Sequence, residues 1–185
     1  MELLNSNLTP GRRCLPPAGW VSLVPRLPRW FGHASHPERA EAGPALMKTI
    51  ESVQRAAQRE IVYQTDQRNY GVEDRWEVPG VTTAIRVGDC EDFAFAKIHR
   101  LILKKVPPGA LRLAICRAPV GTRQEAHAVL AIDTDLSTKI MDCRYPLPLS
   151  DDRLENMGIY DCRRLPYKWL AWSIPGEWFW WQRIC

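Results

Sequence analysis

The residues best suited to chemistry lie in "RVGDCEDFAFAKIHRLILKK", residues 86 to 105, where a single cysteine stands among acids. Asp89 precedes Cys90, and Glu91 and Asp92 follow it. Structural cysteines are usually buried among apolar neighbours, whereas reactive ones lie in polar, partly exposed surroundings. The residues around Cys90 therefore favour a nucleophile or a ligand over a packing residue.

The same segment predicts a helix that begins at Cys90. Asp89 suits the N-cap position, apolar residues then recur at helical spacing, and the helix must end before Pro107. A thiol in the first turn lies at the positive end of the helix dipole, which favours the thiolate. The predicted position of Cys90 is thus one that activates a cysteine.

Three runs rich in branched residues come next, "LRLAICRAP", "HAVLAIDTD" and "TKIMDCRYP", with turn signals between them. They predict neighbouring antiparallel strands and hence an α+β fold, in which the cysteine helix packs on a small sheet. If the second hairpin turns at Thr134 and Asp135, His127 lies directly opposite Asp142. Opposed Cβ atoms are about 4.5 to 5.5 Å apart, so the histidine reaches the carboxylate.

Cys90, His127 and Asp142 together supply the parts of a nucleophilic triad. The imidazole would act as general base and then acid, and the carboxylate would fix its tautomer. Each residue also has an ordinary explanation, since Cys90 could be a packing residue, His127 a polar strand residue and Asp142 an edge acid. The ordered set on a helix and two strands is less expected by chance than any one member.

Length and composition limit the class of protein. The chain has 185 residues, is 45% hydrophobic and carries a net charge of +4, which suits one globular domain. It has no dense basic run, so we expect no nucleic-acid partner. No apolar run approaches the roughly 18 residues of a membrane span, and no secretory signal is seen. We therefore expect no transmembrane segment and a chain that is cytoplasmic at synthesis.

The cysteines do not form a recognisable metal motif. There are six, without any CxxC pair, and their wide spacing favours reduced thiols over a disulfide scaffold. One alternative stays open, in which four of them converge on a metal or an iron–sulfur cluster, although no spacing signature supports it. These four are Cys14, Cys143, Cys162 and Cys185.

The chain divides into three predicted parts. Residues 1–44 hold nearly half of the prolines and predict an extended arm that wraps its own domain or a neighbouring protein. Residues 45–168 form the predicted catalytic domain, beginning with a packing helix from Pro44 to Ile61. Residues 169–185 form an aromatic tail with five tryptophans. Such aromatic ends are typical of protein interfaces, so we expect protein partners through the arm and the tail.

The stretches "GDCEDFAFAKIHRL", "HAVLAID" and "IMDCRYP" resemble the bacterial transglutaminase-like cysteine proteinases, whose LapG-type members release biofilm adhesins. The resemblance covers residues 46 to 150 and implies a papain/transglutaminase-like core. It also implies that Cys90, His127 and Asp142 are the catalytic triad. "VEDRWEVPG" resembles the family's Trp-x-x-Pro stretch, so Trp76 is expected to line the active site or to help form its oxyanion hole.

The resemblance further implies calcium, held by Asp89 and Glu91. There is a physical reason, because carboxylates beside Cys90 oppose its ionisation and a divalent cation would offset that effect. The alternative is that these acids are present only because helix starts favour acidic residues.

Two classes of function remain open from the sequence. The first is a cysteine endopeptidase acting on a protein or peptide substrate, with acyl transfer on the same core as a variant. The second is an assembly role, in which the chain is a structural or peptidase component of a phage or prophage tail tip. The apparent triad favours the first class, and the aromatic ends favour the second, including virion association.

Overall fold

The structure is a computed structural model that describes residues 8–13, 15–16, 18–27, 38–120, 122–150, 171–174 and 177–183. For residues 8–13, 171–174 and 177–183 the description covers the backbone. The helices there are α1 Ala18–Leu23, α2 Pro44–Glu60, α3 Asp66–Tyr70, α4 Pro79–Ile85 and α5 Cys90–Leu103. The strands are β1 Leu8–Arg13, β2 Val62–Tyr63, β3 Val87–Gly88, β4 Leu111–Val120, β5 Arg123–Asp133, β6 Thr138–Met141, β7 Leu149–Ser150, β8 Ala171–Ile174 and β9 Glu177–Arg183.

The predicted packing helix is confirmed as α2. Its apolar residues fall on one face, and Ile50, Val53 and Ala57 are buried there. Pro44 occupies the first turn, where its missing N–H costs nothing, and the helix ends where Ile61 becomes extended. The other face is charged and exposed, so burial of the apolar stripe supplies most of the stability of this helix.

The predicted cysteine helix is confirmed as α5, and it begins at Cys90. Asp89 occupies the N-cap position, but its side chain makes no capping hydrogen bond. Phe95 and Leu101 on this helix are fully buried in the main core, against the sheet. The α+β fold is therefore present, with α5 packed on the central strands of the sheet.

The sheet has seven strands in the order β1-β9-β8-β4-β5-β6-β7. Its centre is the long β4–β5 hairpin, in which Cys116 lies opposite His127. The three predicted strands are confirmed as β4, β5 and β6, all antiparallel to their neighbours. Alternate residues of β5, including Ala128, Leu130 and Ile132, enter the core cluster.

The predicted register of the β5–β6 hairpin is wrong by two residues. Leu130 lies opposite Met141, so Asp142 is displaced from the position directly opposite His127. The reason is the loop, which has four residues beginning at Thr134, whose hydroxyl accepts hydrogen bonds from two loop N–H groups at 3.3 and 3.0 Å. A shift of two residues keeps every side chain on its own face. His127 and Asp142 consequently stay on one side of the sheet.

The segment of the predicted arm that contains α1 packs on the rest of the domain. Leu23 of α1 is fully buried, and Trp20 stacks on Phe95 with ring centroids 6.1 Å apart. This contact agrees with the expectation that the arm wraps its own domain, and the expectation of a partner protein for the arm stays a prediction. Trp30, another tryptophan of the predicted arm, lies outside the described residues. The predicted domain boundaries after residues 44 and 168 stay predictions.

The predicted tail contains β8 and β9, which form a hairpin joined to β4 on one side and β1 on the other. Backbone pairing of β9 with β1 joins the two ends of the chain in one sheet. None of the helices in the described ranges is long and apolar enough to span a membrane.

Candidate active site

Cys90 is the first residue of α5, is half-buried and lies beside β5 at Ala128. The preceding β3 pairs in parallel with β2, which fixes Gly88 beside Tyr63. A Cβ on Gly88 would lie 2.6 Å from Cβ of Asp92, so only glycine allows the chain to approach the helix this closely. The strand pairing and this close approach together set the position of the cysteine.

The thiol of Cys90 donates a hydrogen bond to Glu91 Oε2, at 3.1 Å. Burial raises the pKa of the Cys90 thiol well above its usual value, and the charges of Glu91 and Asp89 raise it further. The backbone N–H of Ala128 opposes this rise by a hydrogen bond to the sulfur. Burial, and after it the neighbouring carboxylates, therefore favour the protonated thiol in spite of its position at a helix start.

His127 and Asp142 meet as the sequence predicted, although along a diagonal. Nε2 of the buried His127 lies 2.9 Å from Oδ1 of the fully buried Asp142. Diagonal neighbours are about 7 to 8 Å apart, a distance that a histidine and an aspartate span with their side chains. Ala128, whose N–H reaches the Cys90 sulfur, is the next residue after His127. The structure thus places the His127 ring against Asp142, and the Cys90 sulfur against the amide of the residue that follows His127.

Arg144 holds the other side of the Asp142 carboxylate. Its Nη2 lies 2.6 Å from Oδ2 and its Nε 3.0 Å from the same oxygen, while its backbone N–H donates to Oδ1 at 2.9 Å. Burial alone would raise the pKa of Asp142, but the hydrogen bonds from His127 and Arg144 lower it far below its usual range. Asp142 is therefore ionised and fixed in position.

Five carboxylates gather next to Cys90. One set of ligand atoms within 4.8 Å of one another comes from Asp66, Asp89 and Asp92, and a second comes from Asp66, Asp74 and Glu91. Burial raises the pKa of Asp92 to about 8. Burial also raises the pKa of Asp89, and burial together with the Asp89 charge raises that of Glu91. Asp66, Glu91 and Asp92 are buried, and their ionised carboxylates so close together are unfavourable without a compensating cation.

The donor set fits a calcium ion. Four of these carboxylates each present a buried oxygen without a hydrogen-bond partner: Asp66 Oδ1, Asp89 Oδ1, Glu91 Oε1 and Asp92 Oδ2. Buried polar atoms are almost always paired, so four orphaned oxygens that converge on one region require an explanation. Calcium takes six to eight oxygen ligands, largely carboxylates, and matches this all-oxygen set. The predicted ligands Asp89 and Glu91 are both members.

Trp76 lies in the core beside the acid cluster. Its ring packs on Phe95, with centroids 5.7 Å apart, and its indole N–H donates to Asp74 Oδ1 at 2.9 Å. Gly19 approaches the ring so closely that a Cβ there would overlap it. In this arrangement the indole N–H is donated to Asp74, and the role of Trp76 in lining the active site or forming the oxyanion hole stays a prediction.

Sequence reasoning did not select Asp66, Asp74, Asp92 or Arg144 as site residues. Asp66 begins α3, and its carboxylate accepts the N–H of Arg75 at 2.5 Å, which folds the segment between them into a compact turn. Asp66 and Asp74, two of the three acids in "QTDQRNYGVEDRW", were visible in the sequence, but their spacing does not reveal that this turn brings them to the acids beside Cys90. Arg144 follows Asp142 by two residues, a spacing too common to indicate a role.

The alternative of a cysteine cluster finds no support in the described residues. Cys143 is buried with its Sγ within 4.8 Å of ligand atoms of His127 and Asp142. Burial and the Asp142 charge raise the pKa of Cys143 to about 12. The other proposed ligands, Cys14, Cys162 and Cys185, lie outside the described residues.

Comparison with known proteins agrees with this geometry. A search of curated proteins found no match. Among solved structures, calcium-bound Legionella pneumophila LapG is 27% identical over 75% of this chain and 71% of that chain, with a TM-score of 0.54. A second structure of the same protein matches at 27% identity with a TM-score of 0.55, over the same shares of both chains. An EGTA-treated form matches at 25% identity with a TM-score of 0.54, over 76% of this chain and 69% of that one.

The family model of the bacterial transglutaminase-like cysteine proteinases matches residues 11–147. The match includes Cys90, His127 and Asp142, and it covers α1 through β6, the elements that carry the acid cluster. The chain therefore belongs to the bacterial transglutaminase-like cysteine proteinases and is a cysteine peptidase.

Proposed function

We propose that Cys90 is the nucleophile of this peptidase, that His127 is its general base and acid, and that Asp142 orients the imidazole. The observation that supports this assignment is the 2.9 Å contact between His127 Nε2 and Asp142 Oδ1, beside a thiol that contacts the amide of Ala128. Because Asp142 engages Nε2, Nδ1 is the ring nitrogen left to exchange a proton with substrate or thiol.

The reaction follows from these roles. The Cys90 sulfur attacks the carbonyl carbon of a peptide bond while its proton passes to His127. His127 then gives that proton to the leaving amine as the C–N bond breaks, which leaves a thioester on Cys90. Water attacks the thioester with His127 as base, which releases the carboxylic acid and restores the thiol. We expect backbone N–H groups of the first turn of α5 to stabilise the oxyanion, since they lack intrahelical partners.

We also propose that the site holds calcium. The carboxylates of Asp89 and Glu91 would bind the ion together with those of Asp66, Asp74 and Asp92, and the orphaned oxygens support this assignment. The calcium-bound and EGTA-treated forms of L. pneumophila LapG support it further. When bound, calcium would supply positive charge that offsets the carboxylates acting on the thiol.

The substrate class follows from the family, since a proteinase acts on polypeptides. Hydrolysis is favoured over acyl transfer for the same reason. The phage-tail and virion role receives no support from the comparisons. It was suggested by the aromatic residues of the arm and the tail, and one of these, Trp20, packs within the fold. We therefore propose a calcium-dependent cysteine endopeptidase.

Alkylation with limiting iodoacetamide tests the nucleophile directly. In the presence of calcium, peptide mapping by mass spectrometry should find the fastest modification at Cys90, and His127→Ala should slow it at least tenfold, because the base is lost. The buried thiol of Cys116 provides an internal control that both proteins should modify equally slowly. Faster modification of Cys116 or Cys143 in the native protein would contradict the assignment.

A further inference from the structure

Asp142 lies in a turn whose backbone is not paired with a strand of the sheet. Asp142 is the first residue after β6, and regular pairing resumes only at Leu149 in β7. Carbonyl groups in such a turn lack ladder partners, and buried ones must find donors elsewhere. Within the turn the N–H of Tyr145 donates to the carbonyl oxygen of Asp142 at 3.4 Å. The side-chain donors to this turn come from α2, and a further one reaches the end of β6 from α5.

Two glutamines on α2 donate to the turn. Nε2 of the fully buried Gln54 lies 2.7 Å from the carbonyl oxygen of Asp142 and 2.5 Å from that of Tyr145. Nε2 of Gln58 lies 2.5 Å from the carbonyl oxygen of Cys143 and 3.0 Å from that of Tyr145. Residues four apart lie on one face of a helix, so α2 presents both amides to the same turn.

The orientation of these amides is fixed by chemistry. Every group that Gln54 Nε2 contacts is an acceptor, so a flipped side chain would set its oxygen against carbonyl oxygens. Oε1 of Gln54 is buried without a partner, so this amide is retained at an energetic cost. A third donor, Nζ of the buried Lys97 on α5, lies 3.2 Å from the carbonyl oxygen of Met141.

We infer that Gln54 and Gln58 are positioning residues for Asp142, a role that rests on the proposed triad. Neither touches a reacting atom. They fix the backbone from which the Asp142 carboxylate reaches His127, whereas Arg144 fixes only the carboxylate itself. A misplacement of about 1 Å can cost on the order of a hundredfold in rate, so support of this backbone is a matter of activity as well as stability.

The test compares Gln54→Met and Gln58→Met with the native chain, since methionine keeps the length of the side chain and removes both donors. Ile50→Val is the control, because it weakens the buried face of the same helix without touching the turn. Nitrogen-15 NMR of the His127 ring reads the contact with Asp142. Activity is measured as cleavage of a proteome-derived peptide library, quantified by mass spectrometry. Thermal unfolding is measured by circular dichroism.

We expect both glutamine variants to change the His127 ring resonances and to lower kcat about tenfold or more, with KM within twofold. Ile50→Val should lower the melting temperature and leave the His127 resonances unchanged. Native His127 resonances in folded Gln54→Met and Gln58→Met would overturn the inference. If Gln54→Met does not fold, Gln58→Met alone provides the test, because Gln58 is only partly buried. Absence of cleavage by the native chain would reject the proposed function, while the NMR comparison would still decide the role of the glutamines.

Discussion

Nε2 of His127 lies 2.9 Å from Oδ1 of Asp142, although the two residues are not opposite each other in their hairpin. Asp142 is displaced along the hairpin and reaches the ring diagonally. The contact is maintained because Arg144 holds the carboxylate from its other side. The histidine is thereby given one defined tautomer, with its proton on Nε2, for as long as Asp142 is ionised.

Asp142→Asn should change how stability depends on pH. Because the pKa of Asp142 is lowered in the folded state, its contribution is fully present above the unfolded value near 3.9 and is lost as pH falls through the folded value. Between pH 7 and pH 3 the native chain should therefore lose about 1 kcal/mol more than Asp142→Asn. Urea unfolding at both pH values measures this difference, and parallel losses in the two proteins would contradict it.

Calcium should stabilise the folded protein through the acid cluster. At a concentration one hundred times the dissociation constant, binding adds about 2.7 kcal/mol to the free energy of unfolding. Asp89→Asn and Glu91→Gln should remove most of this gain, whereas Glu51→Gln, an exposed acid on α2, should keep it. Thermal unfolding with calcium and with a chelator gives the comparison. Equal gains in all four proteins would leave these acids as ordinary helix-start residues.

Gly88→Ala should damage the site, because its new methyl group would overlap Asp92. We expect a loss of about 1 to 3 kcal/mol in the free energy of unfolding, together with weaker calcium binding. Gly80→Ala is the matched control, since nothing lies within 4 Å of its Cβ position and alanine favours the helix. A Gly88→Ala protein as stable as Gly80→Ala would mean that the close approach is not required.

Leu23→Ala tests whether α1 belongs to the catalytic domain. Leu23 is fully buried in the main core, so its truncation should cost about 2 to 5 kcal/mol in the free energy of unfolding. Val21 lies on the exposed side of the same helix, and Val21→Ala should change stability by less than about 0.5 kcal/mol. Equal effects of the two substitutions would show that α1 is not part of the folded core.

Much of the fold could be predicted because its signals are local. The apolar stripe of α2, the start of α5 at Cys90 and the strands β4 to β6 follow from short periodic patterns, and each is present. The hairpin register was missed because "DTDLST" allows a turn at more than one position. His127 and Asp142 nevertheless lie on the same face of the sheet, as expected, because a shift of two residues leaves each side chain on its own face.

The remaining parts of the site depend on contacts that span many residues. Asp66 and Asp74 reach Cys90 only through the turn that follows α3, and Gln54 reaches Asp142 across 88 positions of the chain. No local sequence pattern predicts contacts between residues so far apart in the chain. The use of Trp20 within the core was likewise hidden, because an aromatic residue in a proline-rich segment serves an interface and an intramolecular contact equally well.

The most direct test of the central claim is cleavage by cysteine variants in the presence of calcium. The native chain, Cys116→Ala and Cys90→Ala are each incubated with a proteome-derived peptide library, and new peptide ends are quantified by mass spectrometry. We predict matching cleavage patterns for the native chain and Cys116→Ala, and none for a folded Cys90→Ala, because this substitution removes the sulfur that forms the acyl intermediate. Cleavage by Cys90→Ala in the native pattern would contradict the account.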